Sequence, residues 1–508
     1  NYAVGRIVVR RSKSKDQTRK HNYTNLEHLF SPQAILSDDC INQIHENALG
    51  LLEEIGILIL LPEAIDLLKK EGATVNNDGL VAIPRDLVLN SIQLAPKRYL
   101  LRAPNPKHNL DIRLGRQFFS SSGGCPNAHD RIRGRRPGCK ESFRDAVQLQ
   151  QSFDIIHKLS PAPEPQDVPI QFRHYTILQT QLGNADKPLA VYARGRAQTE
   201  QTFELIKESL QITDTDFQLS PYCSTVINTN SPRLIDIPMA LGLIDFARSG
   251  QLSIITPFCL AGAMAPITVV GALTLQHTEV LAGLTLSQIA KPGAPIMYGG
   301  FGSNVDMRSG APAFGTPTHV QMTLGTGQLA RLLGLPWRSA AGSAANIHDM
   351  QASGENTLGL MATAMAQTTL TLHAAGWLEG GLTFGYEKFI NDIEVLQVFG
   401  HLSKGIDQTA EALSTDPIRE VLPGGHFFET KQTMARYNTE FYEPLVADLS
   451  NYGNWKNKGA ITSEERATQI WQSILNNFKP PIEAFERVGR IEDPIQKMIE
   501  IGGAPIND

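Results

Sequence analysis

At the ends of the apolar runs that could form strands, acidic and imidazole side chains concentrate near residue 350, after a run that ends at Ala340. His348, Asp349 and Glu355 lie there, and Glu387 follows further along the chain. An imidazole beside carboxylates can transfer protons or hold a charged ligand, so we predict His348, Asp349 and Glu355 as catalytic residues. Helix capping and hydrogen bonding to the backbone are the structural alternative for each of them.

A second set of chemically useful side chains consists of aromatic rings at the ends of apolar runs. The face of an aromatic ring attracts a cation that has no N–H group to donate, such as a quaternary ammonium. The rings in such positions are Tyr192, Phe258, Tyr298, Phe301, Trp337, Phe384 and Tyr386. Packing in the protein core is the alternative for every one of them.

The cysteines do not indicate a metal site. Cys125, His129 and Cys139 come nearest to a set of ligands, but their spacing is irregular, and we predict no protein-bound metal. The sequence also lacks a Gly-x-Ser-x-Gly turn between a strand and a helix, and it lacks a Walker motif. These absences argue against a serine hydrolase of the α/β type and against a P-loop nucleotidase.

After Arg116, short β-rich apolar runs alternate with longer helical stretches, a pattern typical of a parallel sheet with crossover helices. About eight repeats favour an α/β fold of the (β/α)8 TIM barrel type. An open doubly wound sheet is the alternative, but no Gly-x-Gly-x-x-Gly follows a first strand. The predicted strands are 118–122, 189–193, 223–228, 253–259, 295–300, 336–340 and a segment around 378–384.

The elements on either side of this repeat predict additional layers. An amphipathic helical entry is predicted at 37–70, and a small β region with one helix at 74–114. Within the repeat, helices are predicted at 316–333 and 352–375. The predicted domains are an N-terminal helical and β appendage at 1–116, the barrel at 117–420 and a C-terminal helical cap at 421–508.

The composition is that of a globular protein, since 42% of the 508 residues are hydrophobic and 19% are charged. The formal net charge of −5 gives no indication of nucleic-acid binding, and the basic run from Arg10 to Lys20 is expected to be a solvated arm. No apolar run approaches the roughly 18 residues that cross a bilayer. Five scattered cysteines and the lack of a signal-peptide pattern indicate a reducing compartment, so we expect a cytoplasmic protein.

Several stretches of the chain resemble the trimethylamine methyltransferase superfamily in order and spacing. Each is short, but together they extend over almost the whole chain, which therefore resembles a pyrrolysine-free member of that superfamily. The stretches are 52–56, 260–268, 279–283, 293–299, 310–338, 349–355, 373–379 and 424–427.

The resemblance implies a barrel that moves a substrate methyl group to the Co(I) of cobalamin, a corrinoid carried by a separate partner protein that docks over the barrel mouth. Founding members activate trimethylamine with pyrrolysine, whereas residues 340–345 are small here. Pyrrolysine-free relatives act on quaternary amines such as glycine betaine, from which a neutral tertiary amine leaves without the help of an acid. We therefore predict a methyltransferase with a small, betaine-type quaternary amine as donor.

The resemblance also implies roles for further residues. A betaine carries a carboxylate, for which Asn304, Gln321, Arg308, Arg338 and His348 are the candidates. Asn304 and Gln321 join Tyr192, Phe258, Tyr298, Phe301, Trp337 and Tyr386 in the predicted substrate-binding set. Gly299, Gly300 and Gly302 are predicted to face the corrinoid, because glycine lets a flat macrocycle approach the backbone, and a simple turn is the alternative.

Three alternatives remain open at this point. They are methyl transfer to a folate or a thiol, a zinc-assisted barrel methyltransferase, and a non-catalytic barrel that binds a betaine or serves as a structural subunit. The zinc enzyme would need His and Cys ligands at strand ends, which the sequence does not show. The apolar helix predicted at 352–375 and the terminal additions would also suit a homo-oligomer.

Overall fold

The computed structural model describes residues 23–505, and the basic run from Arg10 to Lys20 lies outside the described residues. The N-terminal elements are α1 (Asp38–Gly50), β1 (Leu58–Ile59), α2 (Pro62–Lys70), β2 (Thr74–Val75), β3 (Val81–Ala82), α3 (Arg85–Leu94), β4 (Arg98–Leu101) and β5 (Leu110–Arg113). β2 pairs with β3 and β4 with β5, both antiparallel, and α3 lies between the two pairs. This agrees with the small β region that the sequence predicts.

The predicted helical entry is divided into two helices. α1 begins after Ser37, whose hydroxyl accepts a hydrogen bond from the backbone N–H of Cys40, as expected of an N-cap. Gly56 then ends the first helical stretch, with a φ of +83° and a Cα so close to the carbonyl of Val81 that a Cβ would not fit. The chain turns there into β1, and α2 follows.

A curled sheet of seven parallel strands is the centre of the fold, compatible with an α/β barrel. The strands from Phe118 onward are β6 (Phe118–Phe119), β7 (Asn127–Asp130), β8 (Gly134–Pro137), β9 (Leu189–Ala190), β10 (Cys223–Ile227), β11 (Leu234–Ile235), β12 (Leu252–Ile255), β13 (Leu260–Ala261), β14 (Ile296–Gly299), β15 (Ser303–Val305), β16 (Pro312–Ala313), β17 (Trp337–Ala340), β18 (Leu370–Leu372), β19 (Trp377–Leu378) and β20 (Thr383–Gly385). The order in the central sheet is β9, β10, β12, β14, β17, β18, β6.

Helices cover the outer side of this sheet, and short accessory sheets extend from its loops. The helices are α4 (Lys140–Gln151), α5 (Ile170–Asn184), α6 (Arg196–Leu210), α7 (Asp214–Leu219), α8 (Ile237–Arg248), α9 (Val269–Ala290), α10 (Pro317–Leu332), α11 (Met350–Met365) and α12 (Tyr386–Leu402). The accessory sheets combine β13 with β15 and β16, and β19 with β20, β7 and β8. The predicted helix at 316–333 corresponds to α10.

A short segment lies between the two edge strands of the central sheet. Lys158 forms a parallel bridge with Ser120, directly after β6, and the N–H of His157 donates to the carbonyl of Phe119 at 2.8 Å. On the other side, the N–H of Leu159 donates to the carbonyl of Pro188 at 3.1 Å, directly before β9. Residues 157–159 are therefore hydrogen bonded to both edges of the sheet.

The β4–β5 hairpin fills the interior of the sheet at its amino end. Leu101, Leu110 and Ile112 form one buried cluster with inward-facing side chains of the central strands, among them Met297 and Leu372. Because this cluster is apolar and closed, solvent does not enter the sheet from below. Any open space inside the curled sheet must therefore lie towards the carboxyl ends of the strands.

The prediction for the last part of the sheet was wrong. The helix predicted at 352–375 ends at Met365, and the last parallel strand is β18, whereas the segment around 378–384 forms the accessory strands β19 and β20. The three threonines Thr368, Thr369 and Thr371 are β-branched and favour a strand over a helix, and Gln367 has a φ of +53° that interrupts the helix before them. The apolar character of the segment concealed this change.

α9 is long and apolar enough to cross a bilayer by length and composition alone. However, 72% of its apolar window is buried, and it packs against α1, α3, α8 and α10. It is thus a core helix that joins the N-terminal layer to the outer helices of the sheet.

The C-terminal part lies against the outer helices. Its elements are α13 (Thr415–Glu420), α14 (Lys431–Arg436), α15 (Tyr452–Asn457), α16 (Ser463–Asn476) and α17 (Ala484–Glu500). α16 packs against α12 and α4, and α17 packs against α5 and α6. A helical cap in the sense of a separate C-terminal domain stays a prediction.

The buried carboxylate of Glu387 joins α16 to the rest of the fold. One of its oxygens accepts from the Trp471 indole N–H and the Thr468 hydroxyl, both at 2.8 Å, and the other from the N–H of Arg131 at 3.2 Å. We expect Glu387→Ala to lower the free energy of unfolding by about 2–4 kcal/mol, because buried donors lose their acceptor. Urea denaturation followed by circular dichroism measures the change.

The control is Glu492→Ala on α17, where the side chain is exposed. That variant should change the free energy of unfolding by less than about 0.5 kcal/mol. Equal denaturation midpoints for the two variants would contradict the role assigned to Glu387.

Candidate active site

A cavity of about 750 Å³ opens at the carboxyl ends of the parallel strands. The cavity is lined by residues of the central strands or of the loops that follow them. β14 itself contributes no residue, but the loop after it contributes Phe301. This is the end of a parallel α/β sheet at which active sites are found. Its wall includes the polar side chains of Lys158, Ser224, Arg338 and His373 and the aromatic side chains of Tyr192, Phe258, Phe301 and Trp377.

Arg338 is a buried cation in the cavity wall. It lies within β17, is only 2% exposed, and has no carboxylate within 4 Å among the described residues. Its Nη2 donates to Nε2 of His373 at 3.1 Å, while Nε and Nη1 have no partner within residues 23–505. Burial lowers the pKa of Arg338 to about 9, which still leaves the guanidinium charged at neutral pH.

Lys158 is a second buried basic side chain in the same wall. Its Nζ donates to the carbonyl of Leu159 at 3.0 Å, and the part of the chain that is described offers it no acidic partner. Burial, with a smaller contribution from the charge of Arg338, lowers the pKa of Lys158 to about 7. The hydroxyl of Ser224, also in the wall, is buried without a hydrogen-bond partner in residues 23–505.

The aromatic residues lie beyond the strand ends, nearer the mouth than the cations. The ring of Phe301 is covered by the Arg338 guanidinium at 5.0 Å on its centroid and stacks on Phe314 at 5.0 Å. Phe258 lies 5.1 Å from Phe301, and both it and Tyr192 are partly exposed. The Arg194 guanidinium covers one face of Tyr192 at 4.1 Å, and His373 covers one face of Trp377 at 4.8 Å. The faces left for a ligand are therefore those of Phe258 and the opposite faces of Tyr192 and Trp377.

His373 contacts both the basic and the aromatic residues of the wall. It has a φ of +54°, a backbone conformation that costs a residue with a Cβ about 1 kcal/mol or more. Its ring stacks on Trp377 at 4.8 Å and contacts Nη2 of Arg338. Burial, reinforced by the charge of Arg338, holds the pKa of His373 well below its usual value, so the imidazole is neutral and can accept from the guanidinium.

The loop after β10, which closes one side of the mouth, is fixed by the buried carboxylate of Glu279. This carboxylate accepts hydrogen bonds from the hydroxyls of Thr229 and Ser231 and from the N–H of Arg233. Burial raises the pKa of Glu279. Since Thr229 and Ser231 both line the cavity, α9 determines the shape of the mouth through this residue.

Three residues of the predicted substrate-binding set line the cavity, namely Tyr192, Phe258 and Phe301. The other five lie elsewhere. Tyr298 donates or accepts at His277 of α9, the indole of Trp337 donates to the carbonyl of Gln367, Tyr386 contacts Asp145, Asn304 accepts from Thr316, and Gln321 lies on α10.

Strand alternation explains two of these differences. Tyr298 and Trp337 are neighbours in the register of β14 and β17, and both point outward to the helices. Their sequence neighbours Met297 and Arg338 point inward. A shift of one residue along a strand moves a side chain to the opposite face, and the sequence does not state which face is inside.

The three predicted catalytic residues lie in or beside the loop after β17, outside the cavity wall. Glu355 accepts from the Ser343 hydroxyl and from the N–H groups of Ala344 and Ala345, so it shapes that loop. Asp349 is the N-cap of α11. Burial lowers the pKa of His348 to about 4, and its Nε2 lies 3.5 Å from the hydroxyl of Ser353.

The three predicted corrinoid-facing glycines are buried in the packing of the sheet. A Cβ at Gly299 would meet Thr256, one at Gly300 would meet Thr326, and one at Gly302 would meet Met322. Within residues 23–505, no group of three or more His, Cys, Asp or Glu side chains could hold a metal ion.

Four residues of the wall were missed as site residues, namely Lys158, Ser224, His373 and Trp377. Lys158 and Ser224 lie in runs that look like ordinary barrel interior or loop. His373 and Trp377 belong to a stretch already noted for its resemblance, which was the available signal. Arg338 was named as one of several carboxylate candidates, without a reason to prefer it.

Comparison with known proteins gives consistent matches along the chain. Residues 5–498 match the sequence profile of the family described as Trimethylamine methyltransferase (MTTB). The chain is 33% identical over 449 residues to a glycine betaine methyltransferase of Desulfitobacterium hafniense strain Y51, covering 88% of this chain and 93% of the relative. It is 29% identical over 451 residues to a trimethylamine methyltransferase, MttB, of D. hafniense strain DCB-2, covering 87% and 90%.

The fold is also similar to that of a methyltransferase whose structure has been solved. The monomethylamine methyltransferase MtmB of Methanosarcina barkeri aligns over 93% of this chain and 89% of its own, with a TM-score of 0.50. The sequence identity of 7% limits this likeness to the fold.

The two unpaired cations should reduce the stability of the ligand-free protein. We expect Lys158→Met at pH 6 to raise the free energy of unfolding by about 1–3 kcal/mol, because an uncompensated buried charge is removed. Since the folded pKa of Lys158 is about 7 and its usual value is 10.5, the unfolded chain binds more protons between these values. The stability of the wild type relative to the variant therefore rises from pH 7 towards pH 10. The stabilisation produced by Lys158→Met declines over the same range.

Arg487→Met is the matched control, because Arg487 is also buried but donates to the carbonyls of Leu182 and Ala185. That substitution should lower stability. Urea denaturation at pH 6 and pH 9 compares the variants, and a loss for Lys158→Met equal to that for Arg487→Met would disprove the expectation.

Proposed function

Because the chain belongs to the trimethylamine methyltransferase family and is a methyltransferase, we propose that its donor is a betaine and its acceptor the Co(I) of a corrinoid protein. A betaine is a small quaternary amine that carries a carboxylate. The observation that carries the proposal is the buried guanidinium of Arg338, which faces the cavity together with the buried amine of Lys158. Neither side chain has an acidic partner among the described residues.

Both basic side chains favour a betaine over trimethylamine. A buried charge without a partner is costly, and a ligand carboxylate removes that cost by charge-assisted hydrogen bonds. Arg338 offers Nε and Nη1, and Ser224 offers its hydroxyl. Trimethylamine and its ammonium form have no anionic group to accept from these donors. The ammonium form would also be repelled by the charge of Arg338.

The depth of the groups orients the donor. Arg338 and Ser224 lie within strands, whereas Phe258, Tyr192 and Trp377 follow strand ends. A carboxylate on Arg338 puts the quaternary nitrogen of a short betaine among the aromatic faces, which stabilise a cation that cannot donate hydrogen bonds. One methyl group then points to the mouth, the direction from which a nucleophile must approach for displacement.

No acid is needed for the leaving group, because a quaternary ammonium leaves as a neutral tertiary amine. The loop from Ala340 to Ala345 presents small side chains, as expected of a site without pyrrolysine. As the methyl group leaves, the nitrogen loses its positive charge, so repulsion by the cations beneath it decreases. The same cations that bind the carboxylate thereby favour the departure of the neutral tertiary amine.

The mouth of the cavity fits a partner protein. Exposed apolar side chains surround it in the loops after β12, β14 and β17, namely Ile267, Met307, Ile347 and Met350, of which Met350 is 89% exposed. Apolar side chains exposed in this number around a cavity are typical of a docking surface. The corrinoid that the partner brings supplies Co(I), a strong nucleophile for methyl groups.

We also propose that residues 157–159 complete a (β/α)8 barrel as its eighth strand position, which their hydrogen bonds to both edge strands support. The proposed domains are 1–116, 117–420 and 421–508. Free cysteines, three of them buried, support a reducing compartment and hence the cytoplasm. A homo-oligomer is supported by the exposed apolar side chains of the C-terminal segment, such as Phe441 and Leu449.

Methyl transfer to reduced free cobalamin tests the proposal. We expect methylation of Co(I), followed by absorbance, with glycine betaine, carnitine or proline betaine, and none with choline or trimethylamine. Arg338→Met should raise the KM for the active betaine at least about 30-fold, because loss of a buried charge pair costs about 2–5 kcal/mol. Transfer from trimethylamine alone would contradict the proposed substrate class.

Arg308→Met is the control for this variant, since Arg308 is exposed in the loop after β14. Its KM for the betaine should stay within about twofold of the wild type, as for most surface substitutions. An equal rise in KM for both variants would place the carboxylate elsewhere than on Arg338.

The docking surface is tested with Met350→Asp, at the first residue of α11. We expect methyl transfer to the corrinoid protein to slow about tenfold or more, because a charge is buried in an apolar interface. The KM for the betaine and the rate with free cobalamin should be unchanged. Both rates are read from the same absorbance assay.

Phe485→Asp provides the matched control, at the second residue of α17 and far along the chain from the mouth loops. Phe485 is as exposed as Met350, so the two variants lose a similar apolar surface. Equal slowing in both would argue that the effect does not come from docking at the mouth.

A further inference from the structure

We propose that Lys158 is a second ligand of the substrate carboxylate and takes up one proton from solvent as that carboxylate binds. The inference rests on the proposed function, because it assumes a donor with a carboxylate. It concerns a residue whose position depends on the segment 157–159 between the two edge strands.

The geometry makes Lys158 available to a ligand. It forms a bridge with Ser120 at the depth of the sheet, so its side chain lies with Arg338 and Ser224 in the cavity wall. Its Nζ makes one hydrogen bond, to the carbonyl of Leu159, and the described residues leave its other positions open. A carboxylate has two oxygens, and Arg338 does not exhaust their capacity to accept.

The charges around Lys158 explain why it would be neutral before the ligand arrives. The charge of Arg338 opposes protonation of Lys158, whereas an ionised thiolate at Cys223 would favour it. His373 is neutral, and burial keeps the Tyr192 hydroxyl and the Cys223 thiol protonated by raising their pKa values. None of these groups supplies the negative charge that an ammonium needs.

The remaining charged residues of the wall are already engaged. Arg194 is paired with Glu164, and Asp236 caps α8 by accepting from the N–H of Met239. With its pKa near 7, Lys158 is mostly the free amine at pH 8. An incoming carboxylate supplies the missing charge and typically raises such a pKa by about 1–3 units, so the amine binds a proton.

Calorimetric titration with glycine betaine, in buffers of different ionisation enthalpy, measures this uptake without any activity. At pH 8 we expect between about half a proton and one proton per site. At pH 6, where the amine is already protonated, the uptake should approach zero. The dissociation constant should be constant below pH 7 and rise above it, by up to about tenfold per pH unit.

Two substitutions at the same position separate charge from structure. Lys158→Arg keeps a permanent cation, so binding should persist while proton uptake disappears. Lys158→Met should also lose the uptake and weaken binding about tenfold to a hundredfold at pH 6. The wild-type titration needs no variant, so the inference stays testable if either protein fails to fold.

Lys187→Met is the matched control, since Lys187 is buried with a pKa also lowered to about 7 but donates to the carbonyls of Gln150 and Phe153, outside the cavity. Its proton uptake should equal that of the wild type. Glycine betaine that binds and transfers its methyl group with no uptake at pH 8 would overturn the inference alone. Absence of both binding and transfer with glycine betaine, carnitine and proline betaine would overturn the proposed function as well.

Discussion

The burial of two basic side chains without an acidic partner among the described residues is the constraint on which the site depends. Lys158 and Arg338 lie in the interior of a curled sheet, where an unpaired charge costs several kcal/mol. Such an arrangement is stable only in a fold that has stability to spare, and it is useful only to a ligand that removes the cost. A carboxylate would do so, which is the reason for proposing a donor whose anionic group lies at the inner end of the cavity, beside Lys158 and Arg338.

The rest of the structure holds these two side chains in place and closes the inner end of the cavity. The β4–β5 hairpin closes the interior from below, through the cluster that contains Leu101 and Met297. His373 accepts from Arg338 and stacks on Trp377, so it links the buried basic side chains to the aromatic residues nearer the mouth. Glu279 and Glu355 hold the loops after β10 and β17 from outside the cavity. Low polarity around the cations strengthens every interaction that they make.

Part of this was accessible from the sequence. The alternation of strands and helices, the place of six of the seven central strands and the end of the sheet at which the site lies follow from local patterns and a general rule for parallel sheets. Tyr192, Phe258 and Phe301 were found because they follow strand ends directly. His348, Asp349 and Glu355 drew attention by their composition, although the structure uses Asp349 and Glu355 to cap a helix and hold a loop.

The sequence by itself determined the family and the α/β class, and it already pointed to the donor proposed here, because these depend on residue types and their order. Only the tertiary structure decided which side chains share the cavity. Arg338 and Trp337 are neighbours in the sequence yet face opposite sides of β17, and Lys158 meets Arg338 only because residues 157–159 lie between the edge strands. The direction of a side chain and the meeting of distant segments are fixed by strand register and sheet curvature, which are properties of the whole chain.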